Sequence, residues 1–173
     1  MFFSEKMMKF FFAALVGLGV LAVHAATQTI NVGIRFLAPI NLANTINPSF
    51  GAFEVGAIGR NFVLGVDGTI SGVDATAYIG GASAGSVVLH GSEFHNVDIV
   101  AQNLINNGGV NIATVSCSYG GSGAADCLSG ISAAAAPGIA GTTLLLGLGV
   151  NTTVVHADGS VAAPAFDIVV TYN

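Results

Sequence analysis

Apolar and polar residues alternate at period two in several parts of this chain, and no segment beyond residue 25 carries a convincing helical period. The clearest alternation is residues 27–36, TQTINVGIRF, where Ile30, Val32, Ile34 and Phe36 interleave with Asn31, Gly33 and Arg35. Successive side chains of a strand point to opposite faces, so this segment reads as a strand with one apolar face. Such a strand either pairs inside its own sandwich or is lent to a neighbouring molecule. Further strands are read at 61–66, 69–73, 86–90, 94–102, 110–117, 142–148, 151–156 and 166–172. Within 110–117, Val110, Ile112, Thr114 and Ser116 fall on one face. Within 166–172, FDIVVTY, the shared face is Phe166, Ile168, Val170 and Tyr172. Asp67-Gly68 reads as a two-residue hairpin turn, because both residues tolerate positive φ, and Asp158-Gly159 as another turn. Shorter pieces are read at 40–46, 50–58, 75–79 and 128–131, and residues 133–136, four alanines before Pro137, as a helical turn. About nine to eleven strands at this spacing predict an all-β, antiparallel β-sandwich. No linker or strong repeat divides the chain, so residues 26–173 read as one domain.

The first 25 residues follow a different logic. Lys6 and Lys9 precede an uncharged apolar run from Phe10 to Val23, and Val23-His24-Ala25 places small residues at the two positions a signal peptidase reads. The run is too short for a membrane span, so residues 1–25 read as a cleaved secretory signal peptide. Removing them changes the charge balance. Arg35 and Arg60 then stand against eight acids, with no lysine, for a formal net charge of −6. Nucleic-acid binding needs a basic stripe, and this balance excludes one. No later apolar run is long enough for a membrane-spanning helix, so no integral membrane segment is expected after cleavage. An outer-membrane barrel is disfavoured too, because nine Phe and Tyr and no Trp supply little material for two aromatic girdles.

Secretion also bears on Cys117 and Cys127, which flank CSYGGSGAADC. In an oxidising compartment a disulfide between them is expected, closing a short loop and contributing about 2–3 kcal/mol. His90 and His95 flank Glu93, with Asp98 nearby, yet on a strand their odd spacing points them to opposite faces and argues against a shared metal. No G-x-S-x-G elbow is present, and Gly120-Gly121-Ser122-Gly123 lacks the lysine and helix of a phosphate cradle. Asp67, Asp74, Asp126 and Asp158 read as turn acids. The chain is therefore read as a non-enzyme without metal or cofactor.

The string IRFLAPINLANTINPSFGAFEVG, with TTLLLGLGVNTTV and the terminal FDIVVTYN, resembles a family of small secreted bacterial β-sandwich proteins of unassigned function. That family looks like a relative of spore coat protein U and of Mat/Ecp-type, chaperone–usher pilin domains. The resemblance implies an incomplete immunoglobulin-like sandwich, capped by a periplasmic chaperone and then completed by the N-terminal strand of the next subunit. It also implies a penultimate tyrosine, matched by Tyr172, and a glycine ahead of the last strand, near which Gly159 lies. The local, late cysteine pair departs from the pilin pattern. On this reading Ile30, Val32, Ile34 and Phe36 are donor-strand plugs, and Phe166, Ile168, Val170 and Tyr172 lie at the acceptor edge. The partners implied are like subunits in a homopolymer and a chaperone and usher, on a route from periplasm to cell surface or fimbrium. Edges meant to stay single are normally guarded by charge, especially lysine, and this chain has no lysine beyond residue 25. The rival expectation is a self-complete, monomeric binding or adhesin module, with a host or surface glycan as its partner.

Overall fold

The computed structural model describes residues 32–56 and 58–173; the expected signal peptide, the predicted cleavage site and Ile30 lie outside them. All strands fall within the compact unit Phe36–Asn173, and of the other unit, Met1–Arg35, only residues 32–35 are described. The strands are β1 (Asn41–Ile46), β2 (Ala52–Phe53), β3 (Asn61–Leu64), β4 (Ile70–Ser71), β5 (Tyr78–Gly80) and β6 (Gly85–His90). They continue as β7 (Val97–Ile105), β8 (Val110–Tyr119), β9 (Ala125–Asp126), β10 (Ile131–Ala134), β11 (Thr142–Thr152) and β12 (Ala165–Tyr172). A 3-10 turn, Ala75–Ala77, precedes β5. The fold is an all-β antiparallel β-sandwich, as the spacing predicts.

The larger sheet is organised by β11, TTLLLGLGVNT. This apolar run is buried from Leu146 to Val150, which suits a strand paired on both sides. Along one side it pairs β8, from Leu144 opposite Tyr119 to Thr152 opposite Val110. Along the other its first half pairs β6 and its second half pairs β3. The sheet then extends through β6 to β1, through β3 to β4, and through β8 to β9. The change of neighbour falls at Gly147. A Cβ there would stand 2.5 Å from the Leu64 carbonyl oxygen and 2.9 Å from Gly65 C and Val66 N, all backbone atoms that no rotamer change can move. Gly147→Ala is therefore expected to destabilise the fold by about 1–3 kcal/mol through overpacking. Urea denaturation measures this, and a loss below about 0.5 kcal/mol would mean the crossing has room to spare.

The smaller sheet has the order β10-β7-β12, and β2 pairs β5 in a two-stranded ribbon. Val97, Ile99 and Ala101 of β7 face the large sheet and join one core with Val87, Leu89, Val115, Leu144, Leu146 and Leu148. Burying side chains of this size is worth roughly 1.5–3 kcal/mol each.

Several local expectations are corrected. The predicted single face of Val110, Ile112, Thr114 and Ser116 is broken. Opposite β8, Gly149 pairs Thr114 but Val150 pairs Ile112, so Ala113 is an extra, bulged residue. Because side chains alternate with period two, one extra residue exchanges the faces. Ile112 is buried, and beyond the bulge it is Val115, Cys117 and Tyr119 that turn inward while Thr114 is exposed. Residues 133–136 form no helical turn. Ala133 and Ala134 end β10, with Ala133 held at φ 52° by the Asp98 carboxylate, which accepts its N–H at 2.7 Å. Residues 142–148 and 151–156 are not two strands: β11 runs unbroken to Thr152, and a loop follows. The hairpin at Asp67-Gly68 exists, but its loop is wider than two residues. Leu64 pairs Ile70, and the Gly68 N–H donates to the Gly65 carbonyl. The Thr69 hydroxyl and N–H both donate to Asp67 and hold its carboxyl below the usual carboxylate range.

Candidate functional site

The described part of the predicted first strand, residues 32–36, forms no strand and joins no ladder. Its apolar residues are the most exposed apolar alternation in the described chain: Val32 is 79% exposed, Ile34 73% and Phe36 89%. Residues 27–31 of the predicted strand lie outside the described residues. Ala38 and Pro39 follow, and Pro39 carries no N–H with which to extend a ladder.

At the other end of the chain, β12 holds Phe166, Ile168, Val170 and Tyr172 on one face, as predicted. Ile168 stands opposite Ala101, Val170 opposite Ile99 and Tyr172 opposite Val97, so this face is turned toward the core. Its coverage is incomplete. The β7 partners are fully buried, whereas all four β12 side chains are only partly buried against the core. Among the described residues, β12 pairs only with β7, leaving its other edge without a strand.

The remaining sheet edges are short or broken. β4 and β9 have two residues each, and β10 has four with a register shift. β1 is interrupted between Ala43 and Ile46, where Asn44 adopts φ 51°. Irregular or very short edges make poor templates for a further strand. β12, with eight residues and its one irregularity at the start, is the longest regular edge. Its only charged residue, Asp167, lies on the face away from the core and accepts a hydrogen bond from Asn103 Nδ2 at 2.7 Å.

The penultimate tyrosine has a defined job at the end of this edge. Its hydroxyl accepts the Ser92 N–H at 2.7 Å and donates to the Ala38 carbonyl at 2.6 Å. The residues leading into β1 are thus tied to the end of β12. Gly91 makes the approach possible, since a Cβ there would stand 2.6 Å from the Tyr172 hydroxyl oxygen and 2.9 Å from Pro137 Cγ. Asp98 fastens the same end of β7: besides Ala133 it accepts Asn173 Nδ2 at 3.0 Å, and these bonds, the Ala133 N–H first, hold its carboxyl below the usual range.

Cys117 and Cys127 are disulfide-bonded and fully buried, with their Cα atoms 5.7 Å apart. The bridge does more than close a loop. The Cys127 N–H donates to the Val115 carbonyl on β8, and the Cys127 carbonyl accepts the Ala101 N–H on β7. Cys127 therefore stands where the chain crosses from the large sheet to the small one. His90 and His95 have different neighbours. His90 Nδ1 lies 3.0 Å from the Ile139 carbonyl, while the His95 ring stands edge-on to Tyr172 at 6.4 Å.

A second feature was not read from the sequence. A cleft of about 480 Å3 lies among the β2 ribbon, β3, the end of β11 and the loop after it. Phe53 stacks on Phe62 with ring centroids 3.9 Å apart, and Phe50 and Tyr78 flank Phe53 at 6.3 and 5.6 Å. Glu54, Arg60, His156 and Asp158 add polar groups to the lining. These residues are far apart in sequence, and only the repeated phenylalanines at 50, 53 and 62 hinted at a cluster.

No family model, no curated protein and no solved structure matches this chain. Among the described residues, the fold is an antiparallel β-sandwich whose last strand, β12, has no partner on its outer edge.

Proposed function

We propose that this protein is a structural subunit of a secreted surface fibre or coat, assembled by β-strand donation. The observation that carries the reading is the partly buried inner face of β12 beside a strand edge that, among the described residues, has no partner, in a chain whose residues 32–36 present exposed apolar side chains outside any ladder. Addition of an extended segment to a sheet edge draws affinity from main-chain hydrogen bonds and specificity from alternate side chains in pockets. Val32, Ile34 and Phe36, with Ile30 ahead of them, have the spacing to enter such pockets. Phe166, Ile168, Val170 and Tyr172 would form the acceptor wall. Arg35 alternates with the plugs and would emerge on the outward face of the extended sheet, the face that carries Asp167. A donor at one end and an acceptor along the last strand make a head-to-tail contact, which generates open filaments rather than closed dimers. On this reading a half-covered edge has to be shielded before assembly, and a periplasmic chaperone and usher are the partners that would do so.

The test is assembly itself. The secreted protein should form linear polymers visible by negative-stain microscopy and sedimenting as a ladder of sizes. Deleting residues 26–36 should leave a folded monomer. A full-length chain that stays monomeric at every concentration and on the expressing cell would overturn the proposal.

A further inference from the structure

The aromatic cleft is independent of the β12 edge, since none of its lining residues belongs to β12 or to residues 32–36. We infer that it is a binding site for a neutral, polyhydroxylated ligand, a saccharide. Its volume of about 480 Å3 lies within the roughly 300–1,000 Å3 typical of small-ligand sites. Its lining combines two kinds of group. Phe50, Phe53, Phe62, Val110 and Val150 contribute carbon. Glu54, Asp158, Arg60, Thr152 and Ser160 contribute residues with carboxylate, guanidinium and hydroxyl groups.

Charge decides between ligand classes. Two carboxylates against one guanidinium leave the lining with a formal charge of −1 if His156 is neutral, so a carboxylate or phosphate ligand would meet net repulsion. A cationic ligand would have to approach Arg60. A purely apolar ligand would strip water from three charged groups and return no hydrogen bonds, which is unfavourable. A sugar suits both kinds of group in the lining. Its hydroxyls donate to carboxylates and accept from a guanidinium, and its C–H face lies against aromatic rings. Sites of this kind are mostly apolar, with a few convergent polar groups that fix orientation.

The placement of Arg60 supports a built site. A Cβ on Gly56 would stand 2.3 Å from Arg60 Cζ, so the absence of a side chain at 56 is what lets the guanidinium lie where it does. Its backbone is fixed independently. The Arg60 N–H donates to the Thr152 hydroxyl at 3.1 Å, and the Arg60 carbonyl accepts the Thr152 N–H at 2.9 Å. Gly56→Ala therefore displaces only the flexible end of Arg60, and Glu54→Gln keeps side-chain size while removing a charge.

The experiment is an NMR titration of the purified protein with free neutral hexoses, run beside binding to immobilised neutral oligosaccharides ending in the same sugars. Saturable binding with shifts at Arg60, Phe53 and Thr152 is expected for at least one neutral sugar. Gly56→Ala and Glu54→Gln should each weaken it at least tenfold with an unchanged melting temperature. Binding of oligosaccharide and free hexose alike assigns the site to a terminal sugar, and binding of oligosaccharide alone assigns it to an extended glycan. The inference is overturned if no neutral saccharide binds, if both variants bind within twofold of the parent, or if a uronic acid binds better than its neutral counterpart. Loss of polymer formation would leave all of these readouts intact, so this test stands apart from that of strand donation.

Discussion

Val32→Asp is expected to abolish polymer formation while leaving the subunit folded. Val32 is 79% exposed in the isolated chain, and substitutions at such positions usually change stability by no more than about 0.5 kcal/mol. In an assembled fibre the same side chain would enter a neighbour's groove lined by Ile168 and Val170, where an unpaired carboxylate is costly to bury. The expected result is a melting temperature indistinguishable from the parent and complete loss of species larger than a monomer in sedimentation. The contrasting substitution is Gly33→Asp, on the opposite face of the alternation, where a Cβ meets nothing within 4 Å. It should be tolerated in the polymer. Equal damage from both changes would argue against plugs in pockets. A large loss of monomer stability from Val32→Asp alone would place Val32 in its own core and sink strand donation.

The β12 edge proposed to receive the plug differs from the shorter or broken edges in its regularity, and regularity is only partly legible in the sequence. The alternation of Phe166, Ile168, Val170 and Tyr172 is uninterrupted, and the strand and the shared face are as the sequence predicts; that the face turns toward the core comes from the pairing with β7. Along residues 110–117 the same rule failed, because a bulge at Ala113 reverses the faces and no residue there announces it. The reversal matters, since it turns Cys117 inward toward Cys127. The sequence reads as two strands, 142–148 and 151–156, whereas β11 runs through Gly147 and Gly149 to Thr152. The two glycines are positions where neighbouring groups come close: the Leu64 carbonyl oxygen at Gly147, and at Gly149 the Thr114 hydroxyl, 2.3 Å from where a Cβ would stand. A glycine required by close approach cannot be told from a glycine required by a turn until the partner strand is known. Residues 133–136 were read by helix propensity, which a strand pairing with β7 and the Asp98 carboxylate override. The aromatic cleft was missed for a related reason. Its walls come from β2, β3, β11 and the loop after β11, and only the topology brings them together.

The largest stability effect is expected from breaking the Cys117–Cys127 bridge. The two residues are ten apart, so chain entropy alone accounts for about 2–3 kcal/mol, and removal of native bridges typically costs about 2–5 kcal/mol. Both side chains are fully buried, and their replacement by alanine also removes packed atoms from the core. For a domain of this size the combined loss corresponds to a fall in melting temperature of roughly 10 °C. The position of the bridge adds a sharper expectation. Cys127 joins β8 to β7 through its own N–H and carbonyl, so freeing it should loosen the crossing between the two sheets before either sheet frays. Amide exchange at Cys127 and Ala101 should accelerate strongly in the double Cys→Ala variant, while amides of β11, the central strand of the larger sheet, should slow or quicken only with global stability. Reduction of the parent protein should reproduce the same local signature. If exchange rises uniformly along all strands, the bridge acts only on the unfolded chain, and the crossing at Cys127 is held by its hydrogen bonds and packing alone.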